Sequence, residues 1–501
     1  MDHRLRAICD LTVRPAREEA GHHGAYDGRL QDLSGDGIGA GLRALSRGPA
    51  YDDPHDEAHA RTAEEGLRAR YRTLAQHRTN PFLHIDNLDI AGYDRPYAPA
   101  AERAAARRAH LDAWPDALDT AVRTLDAVAA PAAQATLPAA RALAAALADD
   151  EKDDRTLSAH ARFVAHLEHL AAHGDPDARL GGAGLRLLLS AAEGCPVDLT
   201  ELADRARREK DRLTALLRDS ADRLAPGRPL AETLAAVRAD HPAADGLVAE
   251  VRELAHEVLA WTAAAGVAPT DDGVCETRPA PPSRRYAFAM LNAAAPYETD
   301  GPSRFYVTPP DPAWPPAERE QWLSFFNRAF LPAFVLHEVA PGHFTHGRAL
   351  RGAASEVRRT LQSTGFTEGW AVYAEQLALE AGFRAGDPRF ALGVALSGLQ
   401  RAVRLECSIG LHTGALSVAD AARLFAADAH LAPKAARAEA ERGLWDPEYG
   451  HYTWGKLAIL DLRDRARTAW GGGFTLRRFH DALLALGAPP LGLLDTALER
   501  G

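Results

Sequence analysis

From about Thr62 to Ala264 apolar residues recur every three to four positions among arginines and glutamates, and prolines stand where helices would begin. This period predicts a mainly α fold. Pro131 and Pro138 punctuate the alanine-rich run TLDAVAAPAAQATLPAARALAAALADD, which reads as short or kinked helices in close contact. The stretch Gly21 to Pro54, with GHHGAYDGRL, predicts loops around one or two short helices, and its adjacent His22 and His23 read as exposed histidines without a role. The proline cluster ETRPAPPSRR at 276–285 cannot continue a helix. It divides a helical region, 1–280, expected to form one wall of a cleft, from a catalytic region, 281–501, within one continuous fold. Two short aromatic runs follow, RYAFAMLN and SRFYVTPP, and predict a small β element.

Composition narrows the class. A chain of 501 residues with 46% hydrophobic and 25% charged residues buries a large core and is not disordered. Its net charge of -11 offers no global field for nucleic acid or an anionic membrane, and the basic run RARREKDR reads as a solvated helix face. The first twenty residues hold no signal-peptide core, and no window reaches about 18 uninterrupted apolar residues, so the expectation is a soluble, cytoplasmic protein. Cys9, Cys195, Cys275 and Cys407 are too widely spaced for a disulfide framework or a cysteine zinc motif. Oligomeric state has no readable signal.

The chemistry concentrates in FLPAFVLHEVAPGHFTHGRAL, Phe330 to Leu350. Two histidines four apart on a helix can share one zinc while an intervening glutamate faces the bound water. Here His337 and His343 are six apart, about 240° of ideal helix, so a regular helix cannot hold both on one metal. Pro341 removes a backbone donor and clashes with the carbonyl of His337, and Gly342 beside it tolerates unusual backbone. The segment therefore reads as an expanded metal-binding helix in which two residues loop out. Such a pair of histidines around an acid arises by accident roughly 0.1 times in a chain of this composition, so a third ligand is needed to carry the reading. STGFTEGWAVYAEQLALEAG supplies it. Thr367 is placed to cap a helix ending near Gly382, on which Glu368 and Glu375 share one face within about 20°. Trp370, Ala374, Leu377 and Ala378 would bury that helix, and buried carboxylates need a cation. Zinc fits the donors, although imidazole and carboxylate also accept manganese, cobalt or iron.

The strings HEVAPGH and TEGWAVYAEQLALEAGF resemble the bacterial proteins grouped as domain of unknown function 885, whose paired motifs are HExxPGH and EGWAxYxE. The likeness extends from QDLS through NPFLHIDNLDIAGYDR to ILDLRDRA and FTLRRFHDALLALGAPPL. It implies a mainly helical zincin-type metallopeptidase, with zinc ligands His337, His343 and Glu368 and with Glu338 as general base. It also implies a late tyrosine, Tyr452, and a histidine, His412, as donors to substrate or oxyanion. Glu375 fits a role in fixing the tautomer of a ligating histidine. The chain departs from the family pattern at Phe344, His346, Ser408, Thr453 and Thr308.

The expected function is zinc-dependent hydrolysis of a peptide or peptide-like amide. One alternative is a zinc-dependent hydrolase or acyl-processing enzyme that uses the same zinc and base on a non-peptide bond of a specialised small metabolite, which the departures favour. Another is a zinc-stabilised binding protein without turnover, which would need a fourth protein ligand, and His346 is the residue to supply it.

Overall fold

The computed structural model describes every residue of the chain except 146, 149, 150, 271, 272, 286, 299 and 300. The fold is mainly helical with one three-stranded sheet in the order β1-β3-β2. β1 is Cys275–Pro279, β2 is Ala289–Asn292 and β3 is Ser303–Val307. β1 runs parallel to β3 with Thr277 opposite Phe305, and β2 runs antiparallel with Leu291 opposite Phe305. The two aromatic runs thus supply β2 and β3. Tyr286, at the start of the first run, lies outside the described residues.

The structure adds detail to two sequence expectations. The proline-rich segment taken as a boundary begins inside β1, because Pro279 is the last residue of an edge strand and needs no outward donor there. The alanine-rich run forms one helix, Ala130–Ala145, with Pro138 inside it. Proline costs that helix one hydrogen bond, and its small face compensates by packing Ala132, Ala133, Leu137 and Ala140 against Phe163 and Leu167.

Apolar clusters draw on both sides of residue 280. Val251 and Val258 pack with Phe305, Leu336, Val339 and Phe344 under the sheet. Leu185, Leu189 and Leu202 pack with Trp370, Tyr373, Ile459 and Phe479. Leu5, Ile8 and Tyr26 reach Val357 and Leu361. Among the described residues no helix is long and apolar enough to cross a membrane.

One close approach positions the site. The helix Thr364–Glu380 lies along His451–Trp470, and a Cβ on Gly455 would sit 1.8 Å from the carbonyl oxygen of Gly365. A Cβ on Gly369 would in turn meet the Gly455 backbone at 2.5 Å. Only glycine permits this contact. It brings Tyr452, one turn before Gly455, within electrostatic reach of Glu368, the neighbour of Gly369.

Candidate metal centre

The helix Phe330–Glu338 ends where Pro341 forbids its continuation, and a new helix, His343–Arg351, begins directly after Gly342. The segment is two helices joined by Val339 to Gly342 and not one helix with a bulge. The expected site survives because the connection folds back on itself: Gly342 N–H donates to Leu336 O at 3.1 Å, and Phe344 N–H to Val339 O at 3.1 Å. A Cβ on Gly342 would lie 1.9 Å from the carbonyl oxygen of His337. The Trp370 indole N–H donates to Pro341 O at 2.9 Å and ties the connection to the glutamate helix. The peptide bond before Pro341 is cis. Ser363, not Thr367, caps the glutamate helix, its hydroxyl accepting from Phe366 N–H, which puts Glu368 in the second turn.

These elements bring His337, His343 and Glu368 together. Their candidate ligand atoms all lie within 4.8 Å of one another. Glu368 Oε2 is 3.7 Å from His337 Nε2 and 3.5 Å from His343 Nε2, and the two rings stand at 88°. Three ligands about 2.0–2.1 Å from a tetrahedral zinc are roughly 3.3 Å apart, so the arrangement fits with small adjustment. The electrostatics favour a cation. Burial pushes the Glu368 carboxyl up, yet the attraction of the His337 and His343 imidazoles outweighs it and holds the group well below the usual carboxylate range. Burial and Arg401 push His337 down, but Glu368 and Glu375 overcome both and raise it to about 9. Without a metal the pocket recruits a proton to balance its carboxylates.

Behind the ligands, His337 Nδ1 lies 2.9 Å from Glu375 Oε1, which makes Nδ1 the protonated nitrogen and leaves Nε2 free for a metal. Glu375 is 1% exposed, and burial would raise its pKa, but Arg401 and His337 keep it below the ordinary value. Arg401 reaches Glu375 at 3.6 Å and is held by the carbonyl and hydroxyl of Ser397. Glu338 is buried beside the ligands, and its Oε2 accepts the Leu291 N–H at 2.8 Å from the outer edge of β2.

Tyr452 stands near the site with its ring 5.8 Å from the Arg401 guanidinium and 5.1 Å from that of Arg404. Burial and the charge of Glu368 push its hydroxyl up to about 12, so it remains a donor. The structure does not bring His412 to the site. It lies eleven residues beyond Arg401 on the helix Pro388–Thr413, about 16 Å along the axis. Its Nε2 donates to Gly443 O at 2.9 Å, and its Nδ1 accepts from Leu180 N–H at 3.3 Å, which leaves no ring nitrogen for substrate. Its expected donor role is therefore withdrawn. His346 is also outside the cluster: it packs on Phe366, and burial holds it neutral at about 3.

The family model for bacterial proteins of unknown function, DUF885, matches residues 18–498. The chain belongs to this family. Two solved structures share the DUF885 chain's fold over almost its whole length. One is a candidate lipoprotein of unknown function from Shewanella oneidensis, 19% identical, with a TM-score of 0.76 and 98% of each chain covered. The other is a candidate lipoprotein from Colwellia psychrerythraea, 18% identical, with a TM-score of 0.78, covering 99% of this chain and 97% of that one. No curated protein matches.

Several groups in this DUF885 site carried no sequence signal. Arg401 sits in a long helix buried on nearly all sides, and the Leu291 N–H is a backbone atom whose role depends on which strand edge is free. The paired His22 and His23 are half-buried and bonded, not idle: His23 bridges Asp27 at 2.9 Å and Glu298 at 2.8 Å and stacks on Tyr97.

Proposed function

We propose that the chain is a zincin-type hydrolase that cleaves a peptide or peptide-like amide bond, with zinc held by His337, His343 and Glu368. The observation that carries this reading is the convergence of those three donors beside a carboxylate, Glu338, that is not itself a ligand. A bound zinc would supply Lewis acidity toward a carbonyl oxygen and acidify water toward pH 7. Glu338, steered by the Leu291 N–H, accepts the proton of the attacking water and delivers it to the leaving nitrogen. Tyr452 keeps its proton and donates toward the developing oxyanion. Glu375 and Arg401 orient His337.

The absence of His346 from the ligand set supports an open three-ligand site over a closed structural one. The cavity beside Glu368, about 330 Å³, is of small-molecule size, which favours short substrates and keeps a specialised small amide as the second reading. The test combines elemental analysis with a screen of short peptides and small amides. One zinc per chain, lost in the double variant His337→Ala, His343→Ala, together with turnover lost in Glu338→Gln while zinc stays, is the expected result. Full activity in Glu338→Gln, or no zinc after supplementation, overturns it.

A further inference from the structure

Two cavities meet on the side of the metal centre that faces the N-terminal helices. One, about 330 Å³, is lined by His343, Glu368 and the β2 residues Met290, Leu291 and Asn292. The other, about 360 Å³, lies against Leu11, Leu33, Leu67 and Tyr71. Arg14, Glu19, Gln362 and Thr364 line both and form the junction. Each volume falls in the range of ligand sites.

The charges at this junction are unequally engaged. Arg14 is ion-paired with Asp86, with Asp89 at 3.0 Å and with Glu18 at 3.6 Å. Glu19 is different. Among the described residues its carboxylate makes no hydrogen bond and no ion pair, and only its backbone is engaged, the N–H donating to Pro15 O at 2.9 Å and the carbonyl accepting from Gln362 Nε2 at 3.2 Å. The side chain is accessible, and the space open to it is the cavity junction. It is within electrostatic reach of Glu368. Burial pushes its pKa up, and Glu18, Asp86 and Glu368 add to that against the pull of Arg14. The farther cavity is acidic on balance, Arg14 and Arg70 facing Glu19, Asp86, Glu193 and Glu448. A carboxylate that opens on two cavities and has no partner is free to pair with a ligand cation, and the neighbouring acids add to the attraction.

We propose that Glu19 is a specificity-determining residue that anchors a primary ammonium of the substrate, so that the preferred substrates are short peptides or amides with a free amine. This rests on the hydrolase reading above. An ammonium suits the junction better than a guanidinium, because it is a compact charge with three donors, and the residues lining the junction offer the Glu19 carboxylate, the Thr364 hydroxyl and the Gln362 amide oxygen as acceptor types. A metal ion is the poorer occupant, since the neighbouring acids Glu18 and Asp86 are already held by arginines.

The experiment is calorimetric binding of leucine hydroxamate and N-acetyl-leucine hydroxamate to the zinc-loaded protein. Both probes chelate zinc, only one carries the ammonium, and neither requires turnover. The wild type is expected to bind the free amine about 10-fold tighter or better. Glu19→Gln should erase that preference without changing the affinity for the acetylated probe or the zinc content, and Glu19→Asp should restore part of it. Equal binding of both probes by the wild type overturns the anchor, as does a preference that persists in Glu19→Gln. Binding of neither probe to protein that does hold zinc removes the hydrolase reading itself, and the anchor falls with it, an outcome distinct from the other two.

Discussion

The Nδ1 nitrogen of His337 and the Oε1 oxygen of Glu375 lie 2.9 Å apart, deep behind the three donors of the candidate metal centre. The contact fixes the imidazole ring in the orientation that aims Nε2 at Glu368. Glu375 achieves this from the same helix that supplies Glu368, because seven residues are nearly two whole turns. Glu375→Gln keeps the shape but weakens the acceptor and removes a charge. It is expected to lower zinc affinity about 10- to 100-fold, read by competition with a chromogenic chelator, while the circular dichroism spectrum stays unchanged. An unaltered affinity would show that His337 needs no such partner.

Tyr452 is expected to act on the reaction and not on the metal. Tyr452→Phe removes only the hydroxyl, leaving the ring between Arg401 and Arg404. Turnover should fall about 100- to 1,000-fold at unchanged zinc content and with little change in KM. A loss of stability with unchanged turnover per folded molecule would assign the hydroxyl to structure instead.

The connection between the histidines gives a prediction about stability. Gly342 has no room for a methyl group, since a Cβ there would sit 1.9 Å from His337 O and 2.5 Å from Leu336 O. Both are backbone atoms in a buried segment and cannot move aside cheaply. Gly342→Ala should cost about 4 kcal/mol or more and displace His343 from the zinc site, read by urea unfolding and by zinc content. Trp370→Phe loses the indole bond to Pro341 O and also leaves a cavity where the larger ring packed on Tyr373 and His480, so it should cost about 2–3 kcal/mol with zinc retained.

These residues also show what the sequence reveals and what it conceals. The clustering of the candidate donors was legible because spacing converts directly into angle: Glu368 and Glu375 share a face at any helix start, so moving the cap from Thr367 to Ser363 changes nothing about their alignment. The path between His337 and His343 was legible only as a need for a break. Whether proline opens a helix or ends it depends on contacts such as Trp370 to Pro341, which come from a distant helix. His412 misled for a related reason. Its position in a family pattern says that it matters, and only the fold shows that it holds Gly443 and Leu180 together. Glu19 and Arg401 were invisible, because their roles arise from cavities and neighbours contributed by separate stretches of chain.

Buried histidines make the last prediction, on acid stability. Burial, the largest influence on each, holds His59 and His110 at about 3 and His84, His412 and His480 at about 4. In the unfolded chain each would titrate near 6.5. The folded values are depressed, so the unfolded state binds more protons below pH 6.5, and the stability these groups confer is full above that pH. It is lost as the pH falls from about 6.5 toward 4, by up to about 1.4 kcal/mol per pH unit for each group. In metal-free protein His337 has the opposite sign, since a pKa raised to about 9 stabilises the fold below 6.5 and is lost as the pH rises through 9. His346, held by burial at about 3, adds to these five, and His23, which Asp27 and Glu298 raise against burial, adds to His337, so the depressed groups remain in clear excess. The urea midpoint of metal-free protein is therefore expected to drop clearly between pH 7 and pH 5, well before the carboxylates titrate, and the drop should shrink in His412→Asn because one of the depressed groups is gone. A midpoint unchanged or higher at pH 5 would mean that these imidazoles gain protons in the folded state at little cost, and that their backbone partners, such as Gly443 for His412, accept from a charged ring as well as from a neutral one.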